Sequence, residues 1–159
     1  MPKFLQIILL ILLTGGFLIL FLGFLVTWRN NHSIDQKKFF QGSLLGMIPD
    51  GAYKGSVNFY KASWIGKRFD RENNTGLNLF GSAQAPEERY PFVTRIEKGV
   101  HDADLDVLVL DYNLSENPWW LRRIRDEIVE VSSGKYLGKV FLRVFPGYPF
   151  TIGFFELER

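Results

Sequence analysis

Asp126–Phe145, DEIVEVSSGKYLGKVFLRVF, is the stretch that decides the fold class. Asp126 to Val131 and Lys135 to Phe145 are runs rich in β-branched and aromatic residues, and Ser132-Ser133-Gly134 between them has the small and positive-φ residues of a tight hairpin. Downstream, Phe150 to Glu158 reads as one more strand. Upstream, Ala52 to Tyr60 places Tyr53, Val57 and Phe59 in alternation with Lys54, Ser56 and Asn58, the period-two pattern of a half-buried strand. Ser63 to Asp70, Leu77 to Phe80, Arg89 to Glu97 and Leu105 to Tyr112 read the same way, with Ala83 to Glu88 as a polar loop. Leu105 to Tyr112 is almost continuously apolar, which predicts a strand covered on both faces. Seven or eight short strands with regular turns predict a mainly β domain, a small antiparallel barrel or sandwich.

One helix is expected among the strands. Asn117 suits a cap and Pro118 the first helical position, ahead of Trp119-Trp120-Leu121-Arg122-Arg123-Ile124-Arg125. Trp120 and Ile124 then share a face, and such a helix would pack against the β-domain, close one end of a barrel, or rest its tryptophans and arginines on anionic headgroups as an interfacial helix does.

Phe4 to Trp28 has a different character. It carries no charged side chain over 25 residues, more than the roughly 20 needed to cross a bilayer core. A signal peptide has a shorter apolar run followed by a small-x-small site, whereas this run continues to Trp28 and meets Arg29-Asn30-Asn31. It reads as an uncleaved single-pass anchor, with Trp28 and Arg29 suited to the interface. The chain therefore divides into an anchor (1–28), a tether and membrane-proximal segment (29–48) and a β-rich domain (49–159). Within the second, Arg29 to Lys38 is polar and reads as a tether, and Phe39, Phe40, Leu44, Leu45, Met47 and Ile48 suggest a short helix or turn packed onto the domain or lying at the membrane surface. Ile48-Pro49-Asp50-Gly51 marks the turn into the domain. Lys3 before the span is opposed by Arg29, Lys37 and Lys38 after it; a short basic flank and a long apolar run favour a signal anchor that leaves the β-domain outside the cytoplasm.

Lys+Arg 19 against Asp+Glu 17 is a nearly balanced sum that argues against nucleic acid as a partner, where a clustered basic excess is expected. There is no cysteine, so the compartment cannot be read from thiols. His101-Asp102-Ala103-Asp104-Leu105-Asp106 gathers metal-ligand residue types, but as a loop after Gly99 it reads as turn chemistry. Nucleophile elbow, zinc-protease, P-loop and dinucleotide patterns are absent, so no catalytic, cofactor or metal residue is expected. Asp126, Glu127 and Glu130 beside Arg122, Arg123 and Arg125 read as a surface ion-pair network. Trp64 and Gly66 are expected to be structural, a buried indole and a glycine beneath a neighbouring ring.

The Trp64 strand near the start of the domain, the aromatic strands after it and the late helix together resemble the lipocalin-like, or calycin, barrels. Ala62 stands where the Gly-x-Trp signature of that group has its glycine. The resemblance implies an apolar ligand inside a barrel and points to Trp64 alone. Two functions follow as expectations. One is a membrane-anchored module that binds a lipid or other apolar molecule; the other is an accessory subunit with a filled core that docks a membrane protein complex. Trp64, Trp119, Trp120, Arg122 and Arg123 are the candidate ligand or partner contacts, with the bilayer engaging residues 4–28.

Overall fold

The computed structural model describes residues 2–44, 48–57, 63–144 and 147–159. Leu45, Met47, Phe59, Tyr60, Ala62 and Phe145, each assigned a place above, lie outside the described residues. Eight antiparallel strands form a closed up-and-down barrel: β1 (Gly51–Val57), β2 (Trp64–Asp70), β3 (Thr75–Ser82), β4 (Ala85–Lys98), β5 (Asp106–Asp111), β6 (Ile124–Ser132), β7 (Lys135–Leu142) and β8 (Phe150–Glu158). Closure comes from β8 pairing with β1, Val57 opposite Phe155 and Lys54 opposite Glu158. None of the eight described strands is left as an open edge. The hairpin at Ser133-Gly134 is as expected, with Ser132 opposite Lys135 and Gly134 at φ +72. β4 begins earlier than its composition suggests: Ala85–Glu88, expected as loop, pairs with β3 through Ser82 opposite Ala85.

Two helices precede the barrel, α1 (Lys3–Asn31) and α2 (Ile34–Gln41). α1 is long and apolar enough to span a bilayer, and every residue from Lys3 to Leu22 is exposed. From Gly23 onward it packs on β8. The Phe150 ring occupies the space a Cβ at Gly23 would need, and Phe24 meets Tyr148 and Phe150. Thr151 is then held on three sides: its N–H donates to Thr27 Oγ1 (3.0 Å), its carbonyl accepts from Asn30 Nδ2 (2.9 Å), and its hydroxyl bonds Asn31 Oδ1 (3.3 Å). The segment Arg29 to Lys38 is thus largely helical, and Ser33 caps α2 by accepting from the Gln36 N–H.

α2 lies on the outside of the barrel. Phe39 is fully buried there with Val107, Val109, Val129, Leu137 and Phe154. This explains the continuously apolar β5, whose Val107 and Val109 face α2 while Leu108 and Leu110 face the interior. The short helix of this fold is therefore α2, and the helix expected at Pro118–Arg125 is a single 3₁₀ turn, Leu121–Arg123. Two tertiary demands override its local signals. Asn117 is buried and donates to the Pro91 and Tyr112 carbonyls, and Ile124 and Arg125 are taken into β6 opposite Leu142 and Phe141.

In an up-and-down barrel the β1–β2, β3–β4, β5–β6 and β7–β8 connections share one end, here called the mouth. α1 meets β8 at its mouth end, Tyr148 and Phe150. The chain then climbs the outside, with Phe39 against Phe154, to Ser43, which pairs with Glu130. The exposed part of α1 therefore leaves the barrel past its mouth.

Candidate functional site

The far half of the barrel is filled by Tyr53, Phe69, Phe92, Tyr136, Leu108, Leu110, Ile128 and Leu157. The described residues leave the mouth half unfilled. A hollow of about 370 Å³ lies between Val57, Trp64, Phe80, Tyr90, Trp120, Leu121, Ile124, Val140 and Phe155, and its floor is Lys67, Asn78, Tyr112 and Asp126. The size is within the range of small-molecule sites, as is an apolar wall with a few convergent polar groups. At the rim, Trp120 is half exposed and its ring meets Tyr90, which meets Phe80 in turn. Tyr90 adopts φ +59, a left-handed conformation uncommon for an aromatic residue, beside the irregularity between Gly76 and Asn78. Its carbonyl accepts from Asn78 Nδ2 (3.0 Å).

Four polar side chains at the floor bond one another. Lys67 Nζ donates to Asn78 Oδ1 (2.9 Å), to Asp126 Oδ2 (3.1 Å) and to the Tyr112 hydroxyl. Tyr112 Oη donates to Asp126 Oδ2 (3.1 Å) and accepts from Asn78 Nδ2 (3.3 Å), and Trp64 Nε1 donates to Asn78 Oδ1 (3.0 Å). Lys67 and Asp126 are each 3% exposed, and the Trp64, Phe92, Tyr112 and Phe155 rings stand 4.9–5.5 Å from the ammonium. Burial pushes the Lys67 ammonium down and the Asp126 carboxyl up, each opposed by the charge of the other; it also drives the Tyr112 phenol well above its usual range. A buried ion pair is seldom the most stable filling of a core.

The donor and acceptor inventory restricts that use. All three Lys67 protons have acceptors, and the Tyr112 proton is on Asp126. Asp126 Oδ1, buried, has no hydrogen-bond partner among the described residues. The cluster can accept one more hydrogen bond and has no spare donor for an anion.

The five residues expected as contacts separate into two groups. Trp64 and Trp120 line the hollow, while Trp119, Arg122 and Arg123 line a neighbouring surface groove. Trp64 is half-buried, its ring lying over Gly55. At Gly66, expected beneath a ring, the nearest atoms are backbone. A Cβ there would meet the Tyr53 carbonyl oxygen at 1.9 Å, and its φ of +151 accompanies a bulge between Trp64 and Gly66. Asp126 does not join a surface network; Arg125 pairs instead with Glu127 (2.8 Å) and Glu97 (2.9 Å). In the segment 101–106, Asp102 pairs with Lys139 (2.9 Å) and accepts from Gln36 of α2, while His101 bonds Thr151 and stacks on Tyr148. These contacts fasten the β4–β5 connection to α2 and β8.

Lys67, Asn78 and Tyr112 are not singled out by the sequence, and Asp126 is assigned there to a surface ion-pair network. The signal available for them was strand parity: Asp126 alternates with inward Ile128, Tyr112 with inward Leu110, and Lys67 with inward Phe69. Compared with protein-family models, curated proteins and solved structures, the chain gives no match.

Proposed function

We propose that this chain is a single-pass membrane protein whose barrel binds an uncharged apolar molecule, its one polar end donating a hydrogen bond to Asp126. The observation that carries this reading is an apolar hollow lined in part by Asp126, whose buried Oδ1 has no hydrogen-bond partner among the described residues. Lys67 and Asp126 cancel in charge and Lys67 has no free proton, so an ionised carboxylate such as a fatty acid finds no partner. A hydroxyl or amide N–H does. The likeness to calycin barrels, which the closed eight-stranded topology is consistent with, supports the same reading. The alternative, an accessory subunit with a filled core, draws on the aromatic packing of the far half.

Full-length protein purified into nanodiscs, then extracted and analysed by mass spectrometry, tests the reading. Wild type should release an apolar alcohol or amide in near-stoichiometric amount, and Val140→Trp, which fills the hollow, should release none. Identical extracts containing only bulk lipid would favour the accessory subunit.

We further propose that the barrel is exported. The basic flank before the span is short, and the apolar run is long and unbroken. Alkaline phosphatase fused after Arg159 should be active and a fluorescent reporter at the same position dark, because the phosphatase needs disulfides. The reverse pattern would put the barrel in the cytoplasm.

A further inference from the structure

Between the β5–β6 and β7–β8 connections, on the outer side of the mouth, lies a groove of about 680 Å³ lined by Trp119, Arg122, Arg123, Arg125, Arg143 and Gly147 among others. None of its described lining residues is acidic. Arg125 is neutralised by Glu97 and Glu127, and Arg143 by Asp111 (2.9 Å). Arg122 and Arg123 are exposed and form no ion pair among the described residues; Arg122 Nε donates to the Asn117 carbonyl. Trp119, 76% exposed, is far more open than ordinary packing leaves an indole.

Position identifies what covers this patch. The twenty exposed residues of α1, Lys3 to Leu22, measure about 30 Å at the helical rise, which equals the thickness of a bilayer core. Gly23 and Phe24 then fall at the level of the headgroups, and they touch Phe150 and Tyr148, next to the groove residues Gly147 and Pro149. Tryptophan and arginine are the side chains suited to that depth.

We infer that this groove holds the headgroup of an anionic phospholipid, its phosphate taken by Arg122 and Arg123 and Trp119 lying at headgroup level. The inference rests on α1 being a bilayer anchor and is independent of what the barrel binds. Arginine is fitted to the task because its planar fork bonds two phosphate oxygens at once. The acyl chains of such a lipid would descend beside α1, with the barrel mouth set against the membrane surface.

The test is retention of defined lipids by the full-length protein in native mass spectrometry, released from micelles containing phosphatidylglycerol and phosphatidylcholine. Wild type should keep one phosphatidylglycerol. Arg122→Gln/Arg123→Gln should keep it roughly tenfold to thirtyfold less, as expected for two basic residues at an anionic surface. Lys54→Gln/Lys135→Gln, equal in charge but beside Glu158 at the far end of the barrel, should behave as wild type. In bilayers with bromine near the headgroup, Trp119→Phe should remove part of the quenchable fluorescence. Equal retention of both lipids, or undiminished retention by the double arginine variant, overturns the inference. Alkaline carbonate washing of membranes separates the premise from the claim: release of the chain would overturn the anchor itself, whereas a retained chain that ignores headgroup charge overturns only the groove.

Discussion

Lys67→Met should destabilise the barrel by about 3–5 kcal/mol, the range for removing one partner from a buried ion pair. The lost attraction is the smaller part. Asp126 is 3% exposed, its Oδ2 would keep only the Tyr112 proton, and its Oδ1 has no partner, so the substitution leaves a carboxylate in an apolar enclosure. The sign of the pH dependence follows. Burial already holds the Asp126 carboxyl above its ordinary value, and without Lys67 only the Tyr112 hydrogen bond opposes that shift. A carboxyl that binds its proton more tightly when folded adds stability at low pH and loses it as pH rises through its unfolded value and on to its folded one. The variant should therefore melt closest to wild type in mild acid and diverge towards neutrality. Lys67→Met/Asp126→Leu removes both charges together and should recover most of the loss. Ligand recovered from the purified protein should not return with the stability. A double variant as unstable as the single one would mean that Lys67 supports the fold by packing between its four aromatic neighbours and not through Asp126.

The second large effect is expected at Gly66→Ala. The left-handed φ of +151 costs roughly 1–3 kcal/mol for a residue with a side chain. The new Cβ would also collide with the Tyr53 carbonyl oxygen, a backbone atom fixed by the β1–β2 ladder, at a further cost of about 1–3 kcal/mol. Gly51→Ala is the calibration. Gly51 has φ +79 with nothing near its missing Cβ, so it isolates the conformational part. Thermal melts of the two variants should differ by several degrees, with Gly66→Ala lower. Equal melting temperatures would show that β1 can move aside and that the bulge is not rigid.

That bulge also explains what could be read from the sequence and what could not. Strand composition and the Ser133-Gly134 hairpin gave the architecture, because alternation and turn chemistry are local. The interior of β2 was illegible for a specific reason. If strict alternation held, an inward Trp64 would put Gly66 and Arg68 inside and Lys67 outside. The extra residue between Trp64 and Gly66 reverses the parity, so that Trp64, Lys67 and Phe69 all face inward. A one-residue irregularity thus hid the ammonium at the centre of the site. Asp126 was hidden differently: three arginines within four residues of it suggested a surface partner, whereas its true partner is 59 positions away. The helix misread at Pro118–Arg125 belongs to the same class, local capping signals outweighed by pairing with β7.

The meeting of α1, α2, β1 and β7 on β8 has a kinetic consequence. Thr27 and Asn30 find their partner Thr151 across 124 and 121 residues of chain. Contacts so distant in sequence make for slow closure, since the intervening loop must be ordered before they contribute. Until β8 is in place, β1 and β7 are both open edges and α1 has nowhere to dock. During synthesis this strand emerges after every element it joins, so the seven earlier strands pass through an unzipped sheet with two sticky margins, the stage at which a chaperone or the neighbouring surface must keep copies apart.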